Sequence, residues 1–159
     1  MGKIKWTLIG LIITQVLLIC PAFAADEWET NIRVSVLNAE NKLSFGERSD
    51  ATRGFDSQYD VPAMLSGDVK AYFLLDEGMN CWRDIKSAKR SGVKSWDMHI
   101  ESPLIGETVK IKWNPELLPH NLTFKLIDFE TGAIVDMKKH NNYSYQNNGE
   151  RQLRVEVRP

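Results

Sequence analysis

Beyond residue 30, apolar and polar side chains alternate with a period of two in five separate segments. Ile32, Val34 and Val36 alternate with Arg33 and Ser35; Trp96, Met98 and Ile100 with Asp97, His99 and Glu101; Val109, Ile111 and Trp113 with Lys110 and Lys112. Leu122, Phe124 and Leu126 alternate with Thr123 and Lys125, and Leu153, Val155 and Val157 with Arg154 and Glu156. A strand turns successive side chains to opposite faces, so each segment predicts a strand with one wet and one dry face. Val69 to Leu75 (VKAYFLL) reads as a strand buried on both faces, and Leu43–Phe45, Cys81–Ile85, Ile134–Met137 and Tyr143–Tyr145 are shorter candidates. No window carries a helical stripe; Ser87 to Ser91 has room for one turn of helix.

Turn chemistry separates these segments. Glu130-Thr131-Gly132 and Asn147-Asn148-Gly149 predict hairpins, since Gly and Asn accept the positive φ of tight connections. Short strands with turns at this spacing predict an all-β chain, an immunoglobulin-like antiparallel β-sandwich of about eight to ten strands. Gly46 to Met64 (GERSDATRGFDSQYDVPAM) is too polar for a strand yet holds Phe55, Tyr59, Val61 and Met64. A long loop with its own aromatic residues packs down as an ordered excursion.

The N-terminus breaks the pattern. Lys3 and Lys5 precede an apolar run from Trp6 to Ile19, and Ala22-Phe23-Ala24 follows Cys20-Pro21. A basic start, an apolar core and a small-x-small site predict a cleaved signal peptide over residues 1–24 and one domain over 25–159. A membrane anchor would need about 20 apolar residues, so no span is expected after cleavage. A lipidated Cys20 would call for Gly, Ala or Ser before it, where Ile19 stands. The expectation is an exported protein, periplasmic or extracellular.

The 159 residues are 43% hydrophobic and 26% charged, which suits one globular domain and excludes a disordered or collagen-like chain. A net charge of −1 gives no basic excess for nucleic acid. Loss of residues 1–24 removes Lys3 and Lys5, taking 20 basic residues to 18 against 21 acidic, a net −3. Cys81 is then the lone cysteine, so no internal disulfide is possible and its thiol is expected half-buried in a strand, or else in an intermolecular bridge.

Candidate chemistry is sparse. Asp50, Asp56 and Asp60 lie close together in the polar loop, and hard oxygen donors on a loop suit Ca²⁺. They lack EF-hand spacing, so capping of turns through nearby N–H groups is the leading expectation and calcium the alternative. His99, His120 and His140 have no metal-ligand spacing and read as surface residues. No nucleophile elbow or phosphate loop is present, so the expectation is a protein without a catalytic site or an obligatory cofactor. Trp28, Trp82, Trp96, Trp113, Tyr143 and Tyr145 are available to stack sugars, but Trp96 and Trp113 fall on dry strand faces and read as core.

Two stretches carry a resemblance. Phe45-Gly46 precedes Asp50-Ala51-Thr52-x-Gly54-Phe55-Asp56-x-x-Tyr59-Asp60-x-Pro62; downstream come Val109-x-Ile111-x-Trp113, Leu118-Pro119, Phe124-x-Leu126-x-Asp128, Thr131-Gly132, Val135-Asp136-Met137, Tyr143-x-Tyr145 and Arg151 to Val157. The chain resembles an immunoglobulin-like or fibronectin-like β-sandwich domain of exported bacterial surface proteins, over about Ile32 to Val157. The resemblance implies a non-catalytic accessory module with no catalytic residue to carry over. In such proteins the domain usually sits near the C-terminus of a larger chain; here one domain between the signal segment and Pro159 suits a subunit that docks on another exported or surface protein. Arg53, Phe55 and Tyr59 in the polar loop are the expected contact residues, and exposed sheet edges are the other route to a partner.

Overall fold

The computed structural model describes residues 27–89 and 92–159. The expected signal peptide lies outside them, as do Arg90 and Ser91 of the expected helical turn, whose first residue Ser87 instead ends a strand. The strands are β1 (Trp28–Val36), β2 (Ala39–Arg48), β3 (Val61–Pro62), β4 (Lys70–Leu74), β5 (Asn80–Ser87), β6 (Lys94–Glu101), β7 (Thr108–Trp113), β8 (Thr123–Asp128), β9 (Ile134–Asp136), β10 (Asn142–Gln146) and β11 (Glu150–Arg158). A single 3-10 turn, Pro115–Leu117, is capped by the Asn114 side chain, which accepts from the Glu116 N–H. Among the described residues there is no α-helix, and none long and apolar enough to cross a membrane.

The five alternating segments are β1, β6, β7, β8 and β11, and their dry faces turn to one interior. Val69–Leu75 contains β4, where Ala71, Tyr72 and Phe73 are buried in succession, as a strand covered on both faces requires. At the centre Trp28, Phe45, Trp96 and Phe124 pack their rings edge-on or tilted, with Trp28 5.6 Å from Phe45 and 5.2 Å from Phe124. Trp96 and Trp113 are core residues, and Trp113 also donates its indole N–H to the Met137 carbonyl at 2.8 Å. Gly46 on β2 is a steric necessity: a Cβ there would stand 2.1 Å from the Trp28 carbonyl oxygen.

The sheet is one hydrogen-bonded surface in the order β10-β7-β1-β2-β5-β4-β6-β11-β8-β9, curled nearly into a barrel, with β3 on the side. Two separately bonded, wholly antiparallel sheets were expected. The difference comes from β5, which pairs in parallel with β2 through Ser44↔Arg83 and antiparallel with β4 through Phe73↔Cys81. Cys81 also faces Pro62 and Arg83 also faces Val61, so β2 and β4 meet on one side of β5 while β3 lies on the other. Side-chain alternation defines a dry face but leaves strand neighbours open, so this bridge has no signature in the pattern.

One expected hairpin holds and the other does not. Glu130 to Gly132 joins β8 to β9, which pair, with Gly132 at φ +72°. Asn147 to Gly149 joins β10 to β11, which do not pair: β10 bonds β7, and β11 bonds β6 and β8. The connection crosses from the β10 edge of the sheet to β11, which lies between β6 and β8. Buried Asn147 anchors it by donating to the carbonyls of Ser102 (3.1 Å) and Leu104 (2.6 Å).

Candidate functional site

The polar loop between β2 and β4 is folded onto β5. Its keystone is Asp60, buried although it sits in a loop. One Asp60 carboxylate oxygen accepts from the Ile85 N–H of β5 at 2.8 Å, on the side of β5 where β3 has ended, and the other accepts from the Asp56 N–H at 2.7 Å. The side chain thus supplies the acceptor a neighbouring strand would have provided. Burial pushes the Asp60 carboxyl up from its ordinary value, against the pull of these two N–H donors.

The rest of the loop is pinned in the same manner. Asp56 accepts from the N–H groups of Thr52 (3.3 Å) and Gln58 (3.1 Å), and its carbonyl accepts from Tyr59 and Asp60 N–H. Tyr59 donates its hydroxyl to Asp50 at 2.5 Å, which holds the phenol above its usual range. Phe55 N–H donates to Glu77 at 2.8 Å, and this bond holds the Glu77 carboxyl low. At the loop's start Glu27 accepts from the Ser49 hydroxyl and N–H and from Arg48, which lowers its carboxyl to about 2.

Of the three aspartates, Asp56 caps its local turn, Asp60 ties the loop to Asp56 and to β5, and Asp50 accepts from the Tyr59 hydroxyl. Among the described residues no group of three or more His, Cys, Asp or Glu is placed to hold a metal ion. Of the expected contact residues, Tyr59 and Phe55 are half-buried and tied to Asp50 and Glu77. Arg53 is exposed at the tip and makes no hydrogen bond or ion pair among the described residues. The histidines stay apart in role: His99 stacks on Tyr72 at 5.4 Å and contacts Glu150 at 3.3 Å, while His120 offers its backbone carbonyl to Lys138.

Beneath the loop lie residues that the chain's pattern did not single out. Asp84 of β5 is buried, 3.1 Å from Lys86, and burial pushes its carboxyl up to about 6. Its carbonyl accepts from the Trp96 indole at 3.0 Å. Cys81, three residues earlier on the same strand, is fully buried, and burial raises its thiol to about 11. Such a thiol is a poor nucleophile and has no route to a second chain. The sequence pattern marked this stretch only as a short strand candidate, Cys81–Ile85. No family model, no curated protein and no solved structure matches the chain.

Proposed function

We propose that this is an exported, non-catalytic module that works through protein–protein contacts, as an accessory or assembly subunit of an envelope or surface structure. The observation that carries the reading is the loop itself: a segment clamped to β5 by the buried Asp60 carboxylate, yet presenting Arg53, Ser57 and Gln58 to solvent. A loop held rigid by side-chain bonds loses little entropy on docking, and rigid scaffolds with exposed loops are where binding residues concentrate.

Two further points support it. The loop's own carboxylates are held in place, Asp56 and Asp60 by backbone N–H groups and Asp50 by the Tyr59 hydroxyl, which keeps the loop in one shape. The finer classification as an immunoglobulin-like sandwich rests on the D-A-T-x-G-F-D-x-x-Y-D-x-P resemblance and on two blocks, β10-β7-β1-β2 and β4-β6-β11-β8-β9, that share one core across the β5 bridge. Export rests on the basic, apolar and small-x-small succession of residues 1–24.

The test is a photo-reactive side chain placed at Ser57 on the loop or at exposed Lys125 on β8, in cells producing the full-length chain. One discrete cross-linked partner from Ser57 and none from Lys125 is the expected result. Equal cross-linking from both positions would overturn the loop as contact surface.

A further inference from the structure

Beside the loop tip the surface sinks into a cleft of about 330 Å³ between the ends of β5 and β6 and the β4–β5 turn. Three cations from three elements converge there: Arg53 from the loop, Lys86 from β5 and Lys94 from β6. Two are already matched. Lys86 lies 3.1 Å from Asp84, and Lys94 donates to the buried Glu47 carboxylate. Arg53 has no such partner among the described residues, and Asp76 at the rim makes no ion pair with it. Ser87, Ser95 and exposed Val93 complete the lining.

We infer that this cleft receives one carboxylate of an acidic peptide segment on the partner protein, with Arg53 as its principal recognition residue. This rests on the loop being the contact surface. The charges among the described residues select the occupant: one unmatched guanidinium, whose planar fork fits a carboxylate in two parallel bonds, suits a monoanion. A dianionic phosphate would have to draw Lys86 from Asp84 or Lys94 from Glu47, each leaving a buried carboxylate unpaired. Val93 offers contact to the methylenes of a Glu or to the residue beside it.

The experiment is an ¹⁵N NMR titration of the protein, expressed from its full-length gene, with the probe peptide acetyl-Gly-Glu-Glu-Gly-amide, its Gln counterpart and inorganic phosphate. Shifts confined to residues 53, 86–87 and 93–95, seen with the Glu peptide, absent with the Gln peptide and fading at high salt, are expected. Arg53→Glu should weaken binding at least about tenfold, and Arg53→Lys, which keeps the charge without the fork, by less. No shifts, shifts elsewhere, equal response to both peptides, tighter phosphate binding or an unaffected Arg53→Glu would each overturn the inference. Failure here leaves the loop reading standing if Ser57 still cross-links a partner; loss of that cross-link with an intact titration would sink the loop reading instead.

Discussion

Tyr143 on β10 donates its hydroxyl to Asp128 at the end of β8, at 2.6 Å, between the two edge regions of the curled sheet, which no backbone ladder joins among the described residues. Asp128 is almost fully buried and also accepts from the Glu130 and Thr131 N–H groups. Buried Arg151 lies 3.6 Å from Asp128, pairs with Glu130 and stacks its guanidinium 4.2 Å from the Tyr145 ring. A side-chain network here replaces the missing ladder.

Tyr143→Phe keeps the ring and removes this donor. A hydrogen bond to a buried charged group contributes about 1.5–3 kcal/mol, and chemical denaturation should register a loss of that size. Burial pushes the Asp128 carboxyl up, but Tyr143, the two N–H groups and Arg151 outweigh it and hold it below its ordinary value. A depressed acid stabilises the fold above its unfolded pKa and loses that contribution as pH falls through the folded one. The deficit of Tyr143→Phe should therefore be full at neutral pH and shrink in strong acid.

Asp84 has the opposite sign. Its folded carboxyl is pushed up to about 6 by burial, so the fold is favoured while Asp84 is protonated, fully so below its unfolded pKa, and that contribution is lost as pH rises through about 6. Asp84→Asn removes the buried charge. Its melting temperature should match the wild type near pH 4 and exceed it at pH 8, by an amount worth about 2–3 kcal/mol. Equal melting at both pH values would contradict the assignment.

Asp60→Ala leaves the Ile85 N–H buried without its acceptor, a cost of about 1–3 kcal/mol. Amide exchange offers the sharper reading: protection at Ile85, Asp56 and Tyr59 should fall together, while that of Trp96 on β6 stays. Selective loss at Ile85 alone would mean that the loop is held by other contacts.

Calcium is expected to leave the protein unmoved. The Asp50, Asp56 and Asp60 carboxylates already accept from Tyr59, from Thr52 and Gln58, and from Asp56 and Ile85. A ligand at 100 times its Kd would add about 2.7 kcal/mol to stability. Melting in millimolar calcium and in chelator should coincide; a clear rise would show that the loop rearranges to bind the ion.

What could be read along the chain was whatever leaves a local trace. β1, β6, β7, β8 and β11 announce themselves because a half-buried strand must alternate, and Glu130 to Gly132 because a tight turn needs Gly at positive φ. The ordered loop was visible in its aromatic residues, and of its aspartates Asp56 is the turn cap that was expected. Long-range substitutions were not visible. Nothing near Asp60 says that its carboxylate stands in for a strand at Ile85, 25 residues on, and nothing near Phe55 points to Glu77. Asn147 to Gly149 has hairpin chemistry, yet its strands find other partners because a turn residue cannot specify which edges meet. Cys81–Ile85 reads only as a short strand, and nothing in it marks Asp84 as buried.

The central claim is that the clamped loop is the docking surface, and affinity capture from the native envelope and culture fluid tests it most directly. Tagged wild-type protein is compared with Arg53→Glu/Ser57→Trp, which alters the exposed face while leaving Asp60 on Ile85. The account predicts one partner retained in stoichiometric amount by the wild type and lost from the variant at unchanged melting temperature. A partner retained equally by both would contradict it and move the contact surface to the sheet edges.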